Sequence, residues 1–181
     1  MNNKEYYKVD IAGWVEYLPL LTIADFKIAF FNLHGHVGLT EHCASAMVDM
    51  VQGVDVLLTV ESKGLQLTHV LARNLGHDRY GAARKVHKLY MQDGVSTEYR
   101  SITTDSIQRL YLSREDADLI KGKKVALVDD VVSTGGSLAA LEQLALDAGA
   151  IVATRCCVMA EGDAVSRTDI SYLASIPITK V

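Results

Sequence analysis

Residues 124–138 read Lys-Val-Ala-Leu-Val-Asp-Asp-Val-Val-Ser-Thr-Gly-Gly-Ser-Leu, and few folds accommodate that order of residue types. Positions 125–128 are uncharged and aliphatic, the composition of a strand buried on both faces. The run leads into two adjacent carboxylates, Asp129 and Asp130, and then into a turn of hydroxyls and glycines, Ser133-Thr134-Gly135-Gly136-Ser137. Beyond it Leu138, Leu141, Leu144, Ala145 and Ala148 fall on one helical face, and Gly149 stands where a helix C-terminus favours glycine. A strand, a Gly-rich turn and a helix start together form an anion site, because the backbone can approach the ligand and free N–H groups point at it. The two aspartates would repel a bare phosphate unless they bind something else, such as sugar hydroxyls or a metal. There is no Gly-Lys-Ser/Thr and no G-x-G-x-x-G, so neither a Walker loop nor a dinucleotide fingerprint is present. A ligand with a phosphate at one end and a vicinal diol in the middle, a ribose 5-phosphate, satisfies both halves of the motif.

The rest of the chain alternates in the way a parallel sheet requires. Residues 9–33 mix apolar residues with Gly13, Trp14 and Pro19 without a helical period, which predicts a small strand-rich region. A helix is expected to open at Thr40 as N-cap, with Ala44, Met47, Val48 and Val51 as its buried stripe. A buried strand is predicted over 55–60, and a helix carrying Leu67, Val70, Leu71 and Leu75 ends at Gly76. A short strand follows over 80–83, then a hairpin over 98–104 and 107–112 with its turn near Asp105 and Ser106. Segment 113–122 reads as charged and solvated, and 151–158 as another strand. This alternation predicts an α/β fold with a mainly parallel central sheet flanked by helices. Ligands in such sheets sit beyond the carboxyl ends of the strands, where Asp129-Asp130, Glu61-Ser62-Lys63-Gly64 and Arg84-Lys85 all fall.

Composition sets the outer limits. With 181 residues, one domain with a sizeable core is expected, and a formal charge of −4 from 18 basic and 22 acidic residues argues against a nucleic-acid or anionic-membrane surface. No run is long and apolar enough to span a bilayer, and the N-terminus does not read as a signal peptide. Three cysteines, Cys156 and Cys157 adjacent, cannot build a disulfide framework, so a reducing cytoplasm is the expected setting. Strand neighbours face opposite ways, which makes Cys156 and Cys157 expected core residues on two sides of a sheet. His34-x-His36 and His42-Cys43 match no closed zinc spacing, and no metal is expected on them. Ala160-Glu161-Gly162-Asp163 follows the last predicted strand and is either a base contact or a plain turn.

The stretch Val-Asp-Asp-Val-Val-Ser-Thr-Gly-Gly-Ser resembles the phosphoribosyl-diphosphate signature of type I phosphoribosyltransferases. The resemblance covers nearly the whole chain, which it divides into a hood region over about residues 1–36 and a core over 37–181, with the hairpin as a flexible flap. It is nearest to the adenine-like branch, through Lys27-Ile-Ala-Phe-Phe-Asn32, the Glu-Ser-Lys-Gly loop and Ala83-Arg-Lys85. By this resemblance Asp129 and Asp130 hold the ribose hydroxyls, and Ser133, Thr134, Gly135, Gly136 and Ser137 hold the 5-phosphate. Pyrophosphate falls to Ser62, Lys63 and Gly64, a loop of unusual peptide geometry in the family, and to Arg84, Lys85 and Lys88. Tyr99, Ser101, Thr103 and Thr104 belong to the flap, and Phe30 or Phe31 stacks on the base.

The implied activity is transfer of a phosphoribosyl group from 5-phosphoribosyl 1-diphosphate to a purine. Adenine is the first choice of base, giving AMP and pyrophosphate in purine salvage. Mg²⁺ would enter with the diphosphate, near Asp129 and Asp130. Xanthine or guanine as the base, and a non-catalytic sensor of the same ligand, are the alternatives. The resemblance also implies a homodimer with small-molecule substrates. The sequence departs from the family in lacking the N-terminal Arg-Asp-Ile pattern and in placing Lys63 where many relatives have Arg.

Overall fold

In a computed structural model of the chain, residues 5–100 and 107–181 are described. The N-terminal segment forms β1 (Tyr6–Ile11), β2 (Trp14–Ile23) and β3 (Phe26–Ala29), paired antiparallel in that order. The core follows as α1 (Val37–Ala46), β4 (Val56–Val60), α2 (Gly64–Leu75) and β5 (Gly81–Ala83). A hairpin of β6 (Val95–Arg100) and β7 (Ile107–Leu112) precedes α3 (Arg114–Ile120), β8 (Lys124–Val132), α4 (Gly136–Asp147) and β9 (Ile151–Glu161). The chain closes with β10 (Ser171–Ile176) and β11 (Ile178–Lys180), the latter antiparallel to β3.

Five strands make the central sheet in the order β10-β9-β8-β4-β5, and every neighbouring pair is parallel. Both of its faces are covered, which is why β4 and the 125–128 stretch of β8 read as uncharged, mostly apolar runs. Side-chain alternation sends Leu57, Ala126, Val128 and Cys156 into one core, beneath α1, α2 and the N-terminal strands. Val56, Leu58, Val125, Leu127 and Cys157 enter the other, beneath α3, α4 and the hairpin. Leu138, Leu141 and Leu144 anchor α4 there, each stabilising the fold by about 1.5–3 kcal/mol through burial.

Two local expectations fail. The first helix opens at Val37 rather than at Thr40, because His36 caps it: its Nδ1 accepts from the Leu39 N–H at 3.3 Å. Thr40 lies inside the helix and donates its hydroxyl to the His36 carbonyl at 2.8 Å. Ala44, Met47 and Val51 are buried as predicted, although α1 stops at Ala46 and a 3-10 turn carries Val48–Val51. Segment 113–122 is not simply solvated. Ser113 caps α3 by accepting from the Asp116 N–H at 3.0 Å, and Ala117 and Ile120 point into the second core. Two apolar residues three apart are too few to register as a helical stripe in a charged sequence. The turn predicted near Asp105 and Ser106 lies outside the described residues, as do Ser101, Thr103 and Thr104.

Candidate active site

The carboxyl ends of β4 and β8 bound a crevice of about 260 Å³ lined by Val60, Glu61, Ser62, Lys63, Lys85, Asp129, Asp130, Val131 and Ser137. Parallel pairing of β4 with β8 brings residues some seventy positions apart in sequence to one sheet edge. Asp130 is buried, with its Oδ2 3.3 Å from Lys63 Nζ but without a well-directed hydrogen bond. Asp129 accepts from the Asp130 N–H at 2.9 Å. Burial, and then the adjacent Asp130 carboxylate, push the Asp129 carboxyl well above the usual carboxylate range. A ligand offering hydroxyl donors relieves the repulsion between the two carboxyl groups.

The loop between β4 and α2 supplies the opposite charge. Its Glu61–Ser62 peptide bond is cis. Gly64 is required by close approach, since a Cβ there would lie 2.2 Å from Thr59 Oγ1 and 3.6 Å from Asp129 Oδ1. Lys63 reaches across the crevice to Asp130 and lies 5.7 Å from the centre of the Phe30 ring. Glu61 lines the crevice, but its carboxylate is committed to the segment after β5. It accepts from Arg84 Nη1 and from the Lys85 N–H, both at 2.8 Å. Partial burial opposes its ionisation, but the Arg84 and Lys85 hydrogen bonds and the charges of Arg84 and Lys88 outweigh that and hold the carboxyl below its ordinary range.

A smaller cavity of about 160 Å³ adjoins the crevice, lined by Asp129, Val131, Val132 and residues 133–138. Gly135 sits at φ 80° as the N-cap of α4, and no side chain caps that helix. Its first-turn N–H groups are therefore available to an anion, with the helix dipole favouring negative charge. Gly135 is fixed in a second way. A Cβ there would lie 2.1 Å from Arg167 Nη1, which packs on the loop while its Nε and Nη2 hold the Asp169 carboxylate at 2.9 and 2.7 Å.

The predicted residues thus gather unevenly. Asp129, Asp130, Ser62, Lys63, Lys85 and Ser137 line one crevice, with Ser133, Thr134, Gly135 and Gly136 in the cavity beside it. Arg84 is held by Glu61 and lines a different cavity with Tyr90 and Ser113, while Lys88 is exposed and lines neither. Of the two phenylalanines only Phe30 is available to stack, because Phe31 is 2 % exposed in the core. Tyr99 donates to Gln108 Oε1 at 2.6 Å across the hairpin and is close enough to Asp129 to feel its charge. The roles of three residues have no signal in the sequence: Glu61 fixes Arg84, Arg167 packs on the 133–137 loop, and His34 lies beside Ser62. None carries a local signal, because each acts on a residue distant in sequence.

The family model for the phosphoribosyl transferase domain matches residues 32–176. Adenine phosphoribosyltransferase of Geobacter metallireducens is 32 % identical over 123 residues, 65 % of this chain and 68 % of that protein. A hypoxanthine/guanine phosphoribosyltransferase of Methanococcus voltae is 29 % identical over 133 residues, 70 % of this chain and 67 % of that protein. Alignments to four curated adenine phosphoribosyltransferases span 59–68 % of those proteins' lengths. Among solved structures, the Giardia lamblia enzyme complexed with 9-deazaadenine superposes with a TM-score of 0.67 at 21 % identity, over 85 % of this chain and 92 % of that one. That likeness supports the type I phosphoribosyltransferase fold already evident in the sheet order. The match of the family model over most of its length makes this chain a member of the phosphoribosyl transferase domain family.

Proposed function

We propose that the protein transfers the phosphoribosyl group of 5-phosphoribosyl 1-diphosphate to a purine, with adenine the preferred base, releasing AMP and pyrophosphate. The observation that carries this reading is the crevice itself. It holds buried Asp130 and half-buried Asp129 next to an uncapped helix N-terminus on one side and a lysine-bearing loop on the other. The ribose hydroxyls would donate to Asp129 and Asp130, and the 5-phosphate would take the amides and hydroxyls of Ser133, Thr134, Gly135, Gly136 and Ser137. The diphosphate would lie against Ser62, Lys63, Gly64 and Lys85, with Arg84 acting through Glu61 to hold the Lys85 backbone.

Scission of the C1–O bond leaves an oxocarbenium-like centre and builds charge on pyrophosphate, where Lys63 and Lys85 stand ready before the reaction begins. Attack by a purine ring nitrogen from the opposite face forms the new C1–N bond, and the nitrogen's proton is released. No side-chain nucleophile is needed; positioning and charge complementarity lower the barrier. Phe30, exposed beside Lys63, is the ring placed to stack on the base.

Among the described residues no three His, Cys, Asp or Glu side chains gather into a metal cage. A Mg²⁺ ion carried by substrate oxygens fits nonetheless, since Asp129 and Asp130 would hold it through the ribose hydroxyls and the buried Asp130 Oδ2 has no hydrogen-bond donor. When bound, the ion neutralises the leaving diphosphate. A cytoplasmic homodimer completes the reading. Buried, unpaired Cys43, Cys156 and Cys157 support a reducing compartment. The exposed apolar residues Val86, Leu89 and Tyr90 support a subunit contact. Among the described residues no helix is long and apolar enough to cross a membrane.

The deciding experiment offers adenine, guanine, hypoxanthine and xanthine separately, with 5-phosphoribosyl 1-diphosphate and Mg²⁺, and detects the nucleotide formed. AMP as the dominant product is expected. A larger yield from guanine, hypoxanthine or xanthine moves the specificity, and binding without any product makes the chain a sensor.

A further inference from the structure

His34 belongs to the segment that leads from the N-terminal strands into α1, yet its ring lies against the loop that follows β4. Its Nε2 is 3.5 Å from Ser62 Oγ, and its Nδ1 is 3.3 Å from the Gln66 carboxamide. With the Gln66 amide oxygen turned toward His34, Gln66 accepts from the Nδ1–H and from the His34 backbone N–H and donates to the Lys63 carbonyl, each at 3.3 Å. That arrangement fixes the tautomer and aims Nε2 at Ser62. Ser62 lines the crevice and His34 does not, so the imidazole can act on the ligand only through the hydroxyl.

We infer that His34 is a positioning residue for the diphosphate, deciding through Ser62 whether that hydroxyl accepts or donates on the crevice side. This rests on the phosphoribosyltransferase reading. A neutral imidazole accepts a hydrogen bond from the Ser62 hydroxyl at Nε2, which leaves only oxygen lone pairs toward an anion. An imidazolium donates from Nε2 to Ser62 Oγ and frees the hydroxyl proton for a phosphate oxygen, so a proton at His34 and a diphosphate in the crevice favour each other. The 3.5 Å separation is at the outer limit of a hydrogen bond and tightens once the anion draws the hydroxyl proton. The surrounding charges are largely committed elsewhere. Lys63 faces Asp130, Glu61 holds Arg84, and His36 faces Glu16, with Lys85 and Asp129 on the crevice walls.

His34→Gln places an amide donor near Nε2 at every pH, whereas His34→Asn keeps the Gln66 side and abandons Ser62. Titration calorimetry of inorganic pyrophosphate binding to wild type, His34→Gln and His34→Asn at pH 5.5 and 8 cancels the ligand's own ionisation when the dissociation constants are taken as ratios. Wild type should match His34→Gln at pH 5.5 and bind about fivefold more weakly than it at pH 8, the worth of one hydrogen bond. His34→Asn leaves the Ser62 hydroxyl free to donate at both pH values, so it should match His34→Gln at pH 8, about fivefold tighter than wild type, and bind no more tightly than wild type at pH 5.5. Ratios that do not change with pH overturn the role of His34 alone. Wild type that binds neither pyrophosphate nor 5-phosphoribosyl 1-diphosphate at either pH overturns the functional reading beneath it.

Discussion

At the scale of single residues, the site is built at the expense of stability, and Asp129 is where this is measurable. A carboxyl whose folded pKa is raised binds its proton in the native state before the unfolded chain does. It therefore penalises the fold at high pH, and the penalty disappears as pH falls through the raised native value toward about 4. Asp129→Asn removes the charge while keeping an oxygen to accept from the Asp130 N–H. It should raise the melting temperature by a few degrees at pH 8, on the order of 1–3 kcal/mol, with the gain gone at pH 4. Turnover should fall by several orders of magnitude in the same variant. Thermal scans at the two pH values, paired with nucleotide formation, check both halves; an Asp129→Asn protein that is active or destabilised at pH 8 contradicts the assignment. The motif around Asp129 was legible in the sequence because one continuous run carries strand, acids, turn and helix. The partners Glu61, His34 and Arg167 were not, because contacts across 23, 28 and 32 positions leave no local pattern.

At the scale of elements, β4, β5, β8, β9 and the long helices declared themselves, and α3 and β10 did not. Burial on both faces keeps β4 and the 125–128 stretch of β8 free of charge, a signal strong enough to read directly. The α3 helix is seven residues long, mostly charged, and held by a cap and two buried side chains. Ser113 is the residue on which it depends, accepting from the Asp116 N–H and donating to Asp116 Oδ2 at 2.8 Å. Ser113→Ala should cost about 1 kcal/mol, a drop of roughly 2–4 °C in Tm, with kcat unchanged because no crevice residue touches the cap. Differential scanning calorimetry beside steady-state kinetics measures both. The hairpin is tied to the sheet by Arg84 and Tyr111, whose backbones exchange two hydrogen bonds of 2.8 Å. Arg84 is thereby fixed at both its backbone and its side chain, and this is why it braces the site rather than lining it.

At the scale of the whole molecule, the C-terminal strand joins the ends of the chain. Pairing of β11 with β3 sets Ile178 opposite Ile28, two residues before Phe30, and Ile178 also packs on Gly162 at the end of β9. Removing residues 177–181 should loosen the N-terminal sheet and raise KM for the base several-fold, while the affinity for pyrophosphate stays within a factor of two. A kinetic comparison of the truncated and full chains, with pyrophosphate binding as the control, separates the two effects. Equal losses for both ligands would mean that the strand supports the fold rather than the base side of the site. The sequence alone determined four of the five sheet strands and the run of strand, paired aspartates, glycine turn and helix around Asp129, because periodicity and contiguous residue chemistry are local properties of a chain. Tertiary structure alone decided that Phe30 and not Phe31 is exposed, that Arg84 serves Glu61, and that His34 stands behind Ser62. Those outcomes depend on which distant elements the parallel sheet and its closing strand bring together, and no local pattern records that distance.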